Sequence, residues 1–411
     1  MKKIILSTAL LAGVLSYAGG FRVSLQGVKQ LAMAHTSAHA DDASVAFFNP
    51  AGISFIPARL SIAAGGFAAG NKVTFQNTAT YESTTTDNPL GTPIYAAVAY
   101  KVTDDVSLGF SFATPFGSTV QWPENWEGRE MVQKMELKSY FFQPMVSFKL
   151  APWASLGLSY IYATGKVDWD KAVTLYDGTL NINHEKAKGH GYGFGFYFRP
   201  DDKLDVSIAY RSPIDMKAED GTATFQFPSK SIYGLLGLAE NGVDKFTATL
   251  PLVEEYTVGV TYKINPKWSV SADFNYHGWE RYKKLTMDFA SAPVGNQADN
   301  TVLVQPKEFK NTKTFRLGTQ YMFTDKIAGR LGAYYDESPY GDDRFLPETP
   351  SFDSYVITAG LGFKLNKFGV DLAGAYALPQ SRAVNNNNLA FFGQAKARAF
   401  YFGLGLSYNP F

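Results

Sequence analysis

The stretch WSVSADFNYHGW, from Trp268 to Trp279, decides how the chain is read. Trp268, Val270, Ala272, Phe274 and Tyr276 fall on one side of an extended backbone. Ser269, Ser271, Asp273, Asn275 and His277 fall on the other. Successive side chains of a strand point to opposite faces, so the stretch predicts a strand with one apolar and one polar face. The pattern recurs along the chain. Phe315, Leu317, Tyr321 and Phe323 oppose Thr312, Thr314, Arg316 and Gln320. Leu204, Val206, Ile208 and Tyr210 oppose Asp205, Ser207 and Arg211. Tyr192, Phe194, Phe196 and Phe198 oppose Gly191, Gly193, Gly195 and Arg199. A soluble sandwich also alternates, but aromatic rows of this length in almost every strand would overfill its core. In an outer-membrane barrel the aromatic rows face lipid and the charges face the lumen.

Composition agrees. Of 411 residues, 15% are aromatic and only 18% charged, with a net charge of +1; soluble domains carry about 25% charged residues. No basic face for nucleic acid stands out. With no cysteine, disulfide scaffolds and Cys-ligated zinc or iron–sulfur sites are excluded. The N-terminus reads as a secretory signal: Lys2 and Lys3, an apolar run from Ile4 to Leu15, then Ser16-Tyr17-Ala18, with cleavage after Ala18. Every later apolar stretch is interrupted by polar residues. A membrane-embedded mature chain must therefore be a closed barrel, because in lipid only helices and barrels satisfy their own backbone.

Fourteen candidate strands fall near residues 58–77, 91–103, 105–115, 136–150, 154–173, 186–200, 203–217, 245–264, 267–288, 309–324, 326–338, 353–366, 367–379 and 394–411. Short turns at Thr103-Asp104-Asp105, Ala151-Pro152-Trp153, Pro200-Asp201-Asp202, Asn265-Pro266, Thr324-Asp325 and Asn366-Lys367 alternate with longer loops. Those loops include Phe116 to Met135, Ala218 to Asp244, Asp288 to Glu308 and Gln380 to Gly393. Short periplasmic turns and long outer loops mark single-chain outer-membrane barrels. The organisation is thus a signal peptide over 1–18, a plug over 19–57 and a 14-stranded antiparallel transmembrane β-barrel over 58–411. The plug segment is rich in small residues, and the lumen of such a barrel needs filling. Glycines at 191, 193 and 195 on a polar-facing row would let its backbone approach.

The plug stretch Ala40-Asp41-Asp42-Ala43-Ser44, with Asn49-Pro50-Ala51-Gly52, resembles the N-terminal hatch of the FadL-type long-chain fatty acid outer-membrane transporters. Thr114-Pro115-Phe116-Gly117, Tyr210-Arg211-Ser212, Phe309-Lys310-Asn311 leading to Leu317-Gly318-Thr319, and Asp336-Glu337-Ser338-Pro339 extend the likeness towards Phe411. The resemblance implies a monomeric plugged barrel and passive transport, with no enzyme activity, cofactor, nucleotide or energy-coupling partner. It implies an outer apolar groove, a deeper pocket, and an inward kink in the third strand that lets the ligand leave sideways into outer-membrane lipid. Pro115 and Gly117 stand at the matching end of that strand.

A fatty acid needs apolar walls and one or two placed cations. The resemblance puts Lys310 at a carboxylate-contacting position, and the alternation places it on the lumen-facing row with Arg316. The family's partnering arginine on strand five has no counterpart in Lys166-Val167-Asp168-Trp169-Asp170-Lys171; Trp169 stands near its place, with Lys166 or Lys171 as substitutes. Arg211, Arg316 and Arg330, with Asp205, Glu255 and Asp273, read first as lumen charges that pin the plug. Trp122, Trp126, Ile232, Leu235, Leu236 and Leu238 are candidates for the outer groove, with a short helix over Ser231 to Glu240. His35 and His39 are four apart and meet a metal's spacing only if helical. Two rivals keep the barrel but change the cargo: neutral aromatic hydrocarbons, or small polar solutes through a general porin.

Overall fold

The computed structural model describes residues 19–295, 297, 300–387 and 390–410. The expected signal peptide and the terminal Phe411 lie outside them. The chain forms a closed antiparallel barrel of fourteen strands. They are β1 (Leu60–Asn77), β2 (Ser83–Thr85 and Ile94–Lys101), β3 (Val106–Ala113 and Gly117–Gln121), β4 (Lys134–Ala151), β5 (Ala154–Val173), β6 (Gly178–Phe198) and β7 (Leu204–Arg211 and Ile214–Gln226). There follow β8 (Val243–Leu252 and Glu255–Asn265), β9 (Trp268–His277 and Lys284–Phe289), β10 (Val302–Pro306 and Thr312–Thr324), β11 (Ile327–Asp336), β12 (Ser354–Leu365), β13 (Phe368–Asn386) and β14 (Phe391–Tyr408). β14 pairs back onto β1 from Tyr408 opposite Ile62 to Gly393 opposite Asn77, which removes both sheet edges.

The alternation is realised in the expected sense. Trp268, Phe274, Phe315, Leu317, Tyr321 and Phe323 are exposed on the outer wall, while Asp273, Asn275, Thr314 and Arg316 are buried inside. The six short turns close the hairpins at one end. Several strands run further than the pattern suggested. β13 continues to Asn386 and β14 starts at Phe391, so Gln380 to Gly393 is mostly ladder rather than loop. A bulge between Ala377 and Gln380, at Pro379, shifts the apolar row by one residue and hides that extension. A bulge between Ala218 and Gly221 does the same in β7, and β6 begins at Gly178.

Residues 19–56 fill the lumen. The segment carries one short helix, α1 (Val28–Ala32), and two 3-10 turns, Ala43–Phe47 and Pro50–Phe55. Asp42 caps the first turn by accepting from the Ser44 amide at 3.0 Å. Burial works against its charge, but the ammonium of Lys29 and the Ser44 bonds hold its carboxyl below the usual carboxylate range. Asp41 is exposed and 3.9 Å from Lys29. Asn49 caps the second turn, accepting from the Ala51 amide at 2.9 Å, and donates to the Phe196 carbonyl and the Ser207 hydroxyl, both at 2.9 Å. Ser147 and Ser155 donate to the Ala51 carbonyl at 3.1 and 2.8 Å. These bonds satisfy the turn's orphan backbone groups from the barrel wall.

Two glycines make that approach possible. A Cβ on Gly157 would stand 2.2 Å from the Ala51 nitrogen, and one on Gly195 would stand 2.2 Å from Asn49 Oδ1. The rest of the expected glycine row does not meet the plug: Gly193 faces Ser159 and Gly191 faces Ile214. Charges fix the other end of the plug. Arg316 donates to Asn275 Oδ1 at 2.8 Å and to the Ala34 carbonyl at 3.2 Å. Arg211 donates to the Phe47 carbonyl at 2.7 Å and lies over the Phe47 ring. Arg22 reaches Asp336 at 3.4 Å and Glu255 at 3.8 Å. Within the wall itself, Arg330 pairs with Asp371 at 2.5 Å and Arg199 with Asp205 at 2.5 Å. Asp273 accepts from the Ser37 amide at 2.9 Å.

Candidate functional site

Six strands are interrupted, and the interruptions build the site. β3 breaks at Thr114-Pro115-Phe116. Below the break it pairs with β2 up to Ala113 opposite Tyr95. Above it, the next bonds to β2's side are from the Asp87 amide to the Gln121 carbonyl at 2.8 Å and from the Gln121 amide to Asn88 Oδ1 at 2.6 Å. Between these points three prolines, Pro89, Pro93 and Pro115, remove ladder donors. The plug takes the vacated edge: the Val23 amide donates to the Pro115 carbonyl and the Gly117 amide to the Phe21 carbonyl, each at 2.8 Å. The result is an opening of about 320 Å³ between β2 and β3, lined by Gly91, Thr92, Ile94, Thr114, Gly117 and Tyr140 on the wall. Pro115 and Gly117 therefore stand where the wall ladder is replaced by the plug.

A second cavity, about 110 Å³, lies in the outer half of the lumen. Its walls are apolar: Met135 and Leu137 of β4, Val167 and Trp169 of β5, Ile182 of β6, Met216 of β7, Phe246 to Leu252 of β8, and Met287 of β9. Phe21 and Phe116 form its floor side, and Phe116, Leu137, Lys138 and Ser139 line both this cavity and the wall opening. The breaks in β7, β8 and β9 turn the outer halves of those strands into the cavity's far wall. At its rim, Lys307 and Glu348 form an ion pair at 2.7 Å with side-chain exposures of only 4% and 8%. Lys307 comes from the break in β10, and Glu348 from the loop 337–353 that follows β11.

The expected site residues are distributed unevenly. Trp169 lines the cavity, and its Nε1 donates to the Met131 carbonyl at 3.0 Å. Lys171 lies over the Trp169 ring, 5.8 Å from its centroid. Lys166 is among the residues lining the cavity, paired with Glu136 at 3.0 Å and directly opposite Lys138. Arg316 belongs to the plug contacts. Lys310 is exposed and off the lumen row. The break in β10 explains this: the inward row of Lys307 and Phe309 gives way to that of Thr312, Thr314 and Arg316 only after Lys310 and Asn311, so Lys307 and Phe309 turn inward while Glu308 and Lys310 turn out. Lys307 was not singled out by the sequence pattern, because only the slip puts it inside.

The outer loops also depart from expectation. Helix α2 covers only Lys230–Leu235. Leu235 is 73% exposed and Leu236 packs partly against the core. Trp122 and Trp126 are buried, stacked at 4.1 Å, with Trp122 Nε1 donating to the Pro347 carbonyl at 3.1 Å. They support the cavity's roof rather than a groove on the outside. His35 and His39 lie past the end of α1, not on it; the Gln26 amide donates to His35 Nε2 at 3.2 Å, and His39 bonds the Thr36 hydroxyl at 2.8 Å.

Comparison with known proteins agrees with this architecture. A Pseudomonas aeruginosa FadL homologue superposes with a TM-score of 0.82 at 18% identity, covering 95% of this chain and all (100%) of that one. The toluene transporter TodX of P. putida superposes at 0.74 with 14% identity, covering 96% and 99%. A 47 kDa outer membrane protein of Pasteurella multocida is 23% identical over 209 residues, 50% of this chain and 46% of that protein, so the chain matches about half the length of that relative. Residues 9–409 match the family described as outer membrane protein transport protein (OMPP1/FadL/TodX), and the chain belongs to that family of the outer membrane.

Proposed function

We propose that the protein carries hydrophobic small molecules passively across the outer membrane, holding them in the apolar cavity and releasing them sideways through the opening between β2 and β3. One observation carries this reading: the cavity and the wall opening share Phe116, Leu137, Lys138 and Ser139, so a ligand passes from one to the other without crossing the plug. The hatch closes the direct route to the periplasm with backbone bonds and ion pairs, which argues against a general porin. The cargo that the cavity suits best is uncharged. Its buried lysine is already paired, and its volume is of the order of the roughly 150 Å³ apolar cavity that accepts benzene in an engineered protein.

A long-chain fatty acid is the second reading. It is supported by Lys171 and Lys307 near the cavity's outer end and by the larger space available when a chain extends into the wall opening. Native mass spectrometry of the detergent-extracted barrel, challenged with toluene and then with oleate, tests both. Retention of toluene supports the first reading, and retention of oleate the second. Retention of neither, with stable ion conductance in planar bilayers, points to the porin and ends the proposal.

A further inference from the structure

The Lys307–Glu348 pair is more than a structural brace. It is the only ion pair among the described residues whose two members both line the apolar cavity and are both buried. Burying two charges costs several kcal/mol each unless the geometry repays it, and a Lys–Glu pair in an apolar wall adds little stability that an apolar pair could not. Nearby, Lys171 lies within the field of both Glu348 and Glu130. Lys138 and Lys166, which also line the cavity, are both paired with Glu136, so each lysine of the lining already has a carboxylate partner. Glu348 is also held firmly. Around it, the Trp122 indole donates to Pro347, the Tyr340 hydroxyl to the Thr349 carbonyl at 2.6 Å, and Arg382 to the Ser351 carbonyl at 2.7 Å and the Tyr340 carbonyl at 3.0 Å.

We propose that Glu348 is the charge-selectivity residue of this cavity: an internal carboxylate, fixed on the loop 337–353, that occupies Lys307 and thereby excludes anionic ligands while admitting neutral ones of the same size. The inference rests on the transport reading above and names the ligand class of that same cavity. An anion entering beside Glu348 meets a like charge at short range in a buried, apolar-walled place, where the repulsion is poorly screened. It also finds Lys307 already spoken for. Because the loop's other ties are independent of Glu348, the carboxylate does not swing away to make room.

Binding of toluene and of benzoate, near in size and different in charge at neutral pH, tests this in the full-length barrel reconstituted in nanodiscs. Wild type is expected to bind toluene and to reject benzoate. Glu348→Gln and Glu348→Ala should each raise the ratio of benzoate to toluene binding by about tenfold or more, the worth of one charge-assisted hydrogen bond. The double variant K307M/E348L, apolar at both positions, should still reject benzoate. An unchanged benzoate-to-toluene ratio in both single variants overturns the proposal, as does admission of benzoate by the double variant. A wild type that binds neither compound removes the transport reading itself, whereas toluene binding with an unmoved ratio removes only the role of Glu348.

Discussion

At the scale of single residues, the plug depends on side chains that are missing. Gly157 lies under Ala51, where a methyl would stand 2.2 Å from the Ala51 nitrogen and 2.3 Å from the Pro50 carbonyl carbon. Both are backbone atoms that cannot rotate aside, so Gly157→Ala should cost about 1–3 kcal/mol in overpacking and loosen the hatch. Planar-bilayer recordings should then show ion conductance that the wild type lacks, and a silent variant would mean that the hatch is not held there. Lys310 and Lys307 give a second contrast. Lys310 is exposed beyond the break in β10, so Lys310→Ala should leave ligand retention within about twofold. Lys307→Ala strands Glu348 in an apolar wall, and losing one partner of a buried pair costs about 3–5 kcal/mol. Thermal unfolding of the folded barrel, read by its gel mobility, should separate the two variants clearly, and equal stabilities would contradict the buried pair.

At the scale of elements, the regular stretches were legible and the breaks were not. The Trp268–His277 half of β9, with β11 and β12, announces itself because lipid outside and plug inside impose a strict two-residue period, with Phe274 out and Asp273 in. The breaks obey no local period. What replaces the missing rungs in β3 is Phe21 to Val23, about ninety residues away in the chain, and no short pattern shows that partner. The slip between Phe309 and Thr312 is similar: it exchanges inside and outside across the break, so the resemblance chose a neighbour, Lys310, while the fold buries Lys307. The plug's presence was legible from its small residues and capping signals, Asp42 before Ala43–Phe47 and Asn49 before Pro50–Phe55. The wall residues that receive it were only partly so. Phe116 tests the reading of these elements. Its ring separates the cavity from the wall opening, so Phe116→Ala should speed toluene entry into proteoliposomes by about tenfold, the size of effect expected when a steric barrier of about 1.4 kcal/mol is removed. A rate unchanged or lowered in a folded variant would show that ligand does not pass this ring.

At the scale of the whole molecule, the barrel solves two problems with one alternation. Outward rows of Phe, Tyr and Leu dissolve it in lipid, and inward rows of Ser, Thr, Arg and Asp, with alanines beside them, clamp a hatch whose Leu25, Val28, Leu31 and Ile53 pack against the wall. On the proposed route the wall is the way out, and the gap between β2 and β3 is where the wall lacks its ladder. The sharpest check of that claim uses the absence of native cysteine. Cysteines placed at Thr92 and Thr114, on the two sides of the opening, can be bridged by a cleavable bifunctional maleimide, and toluene uptake into proteoliposomes followed before and after. The account predicts that bridging lowers uptake to the level of protein-free vesicles and that cleaving the linker restores it. Full uptake with the bridge in place would contradict it and put the route through the hatch instead.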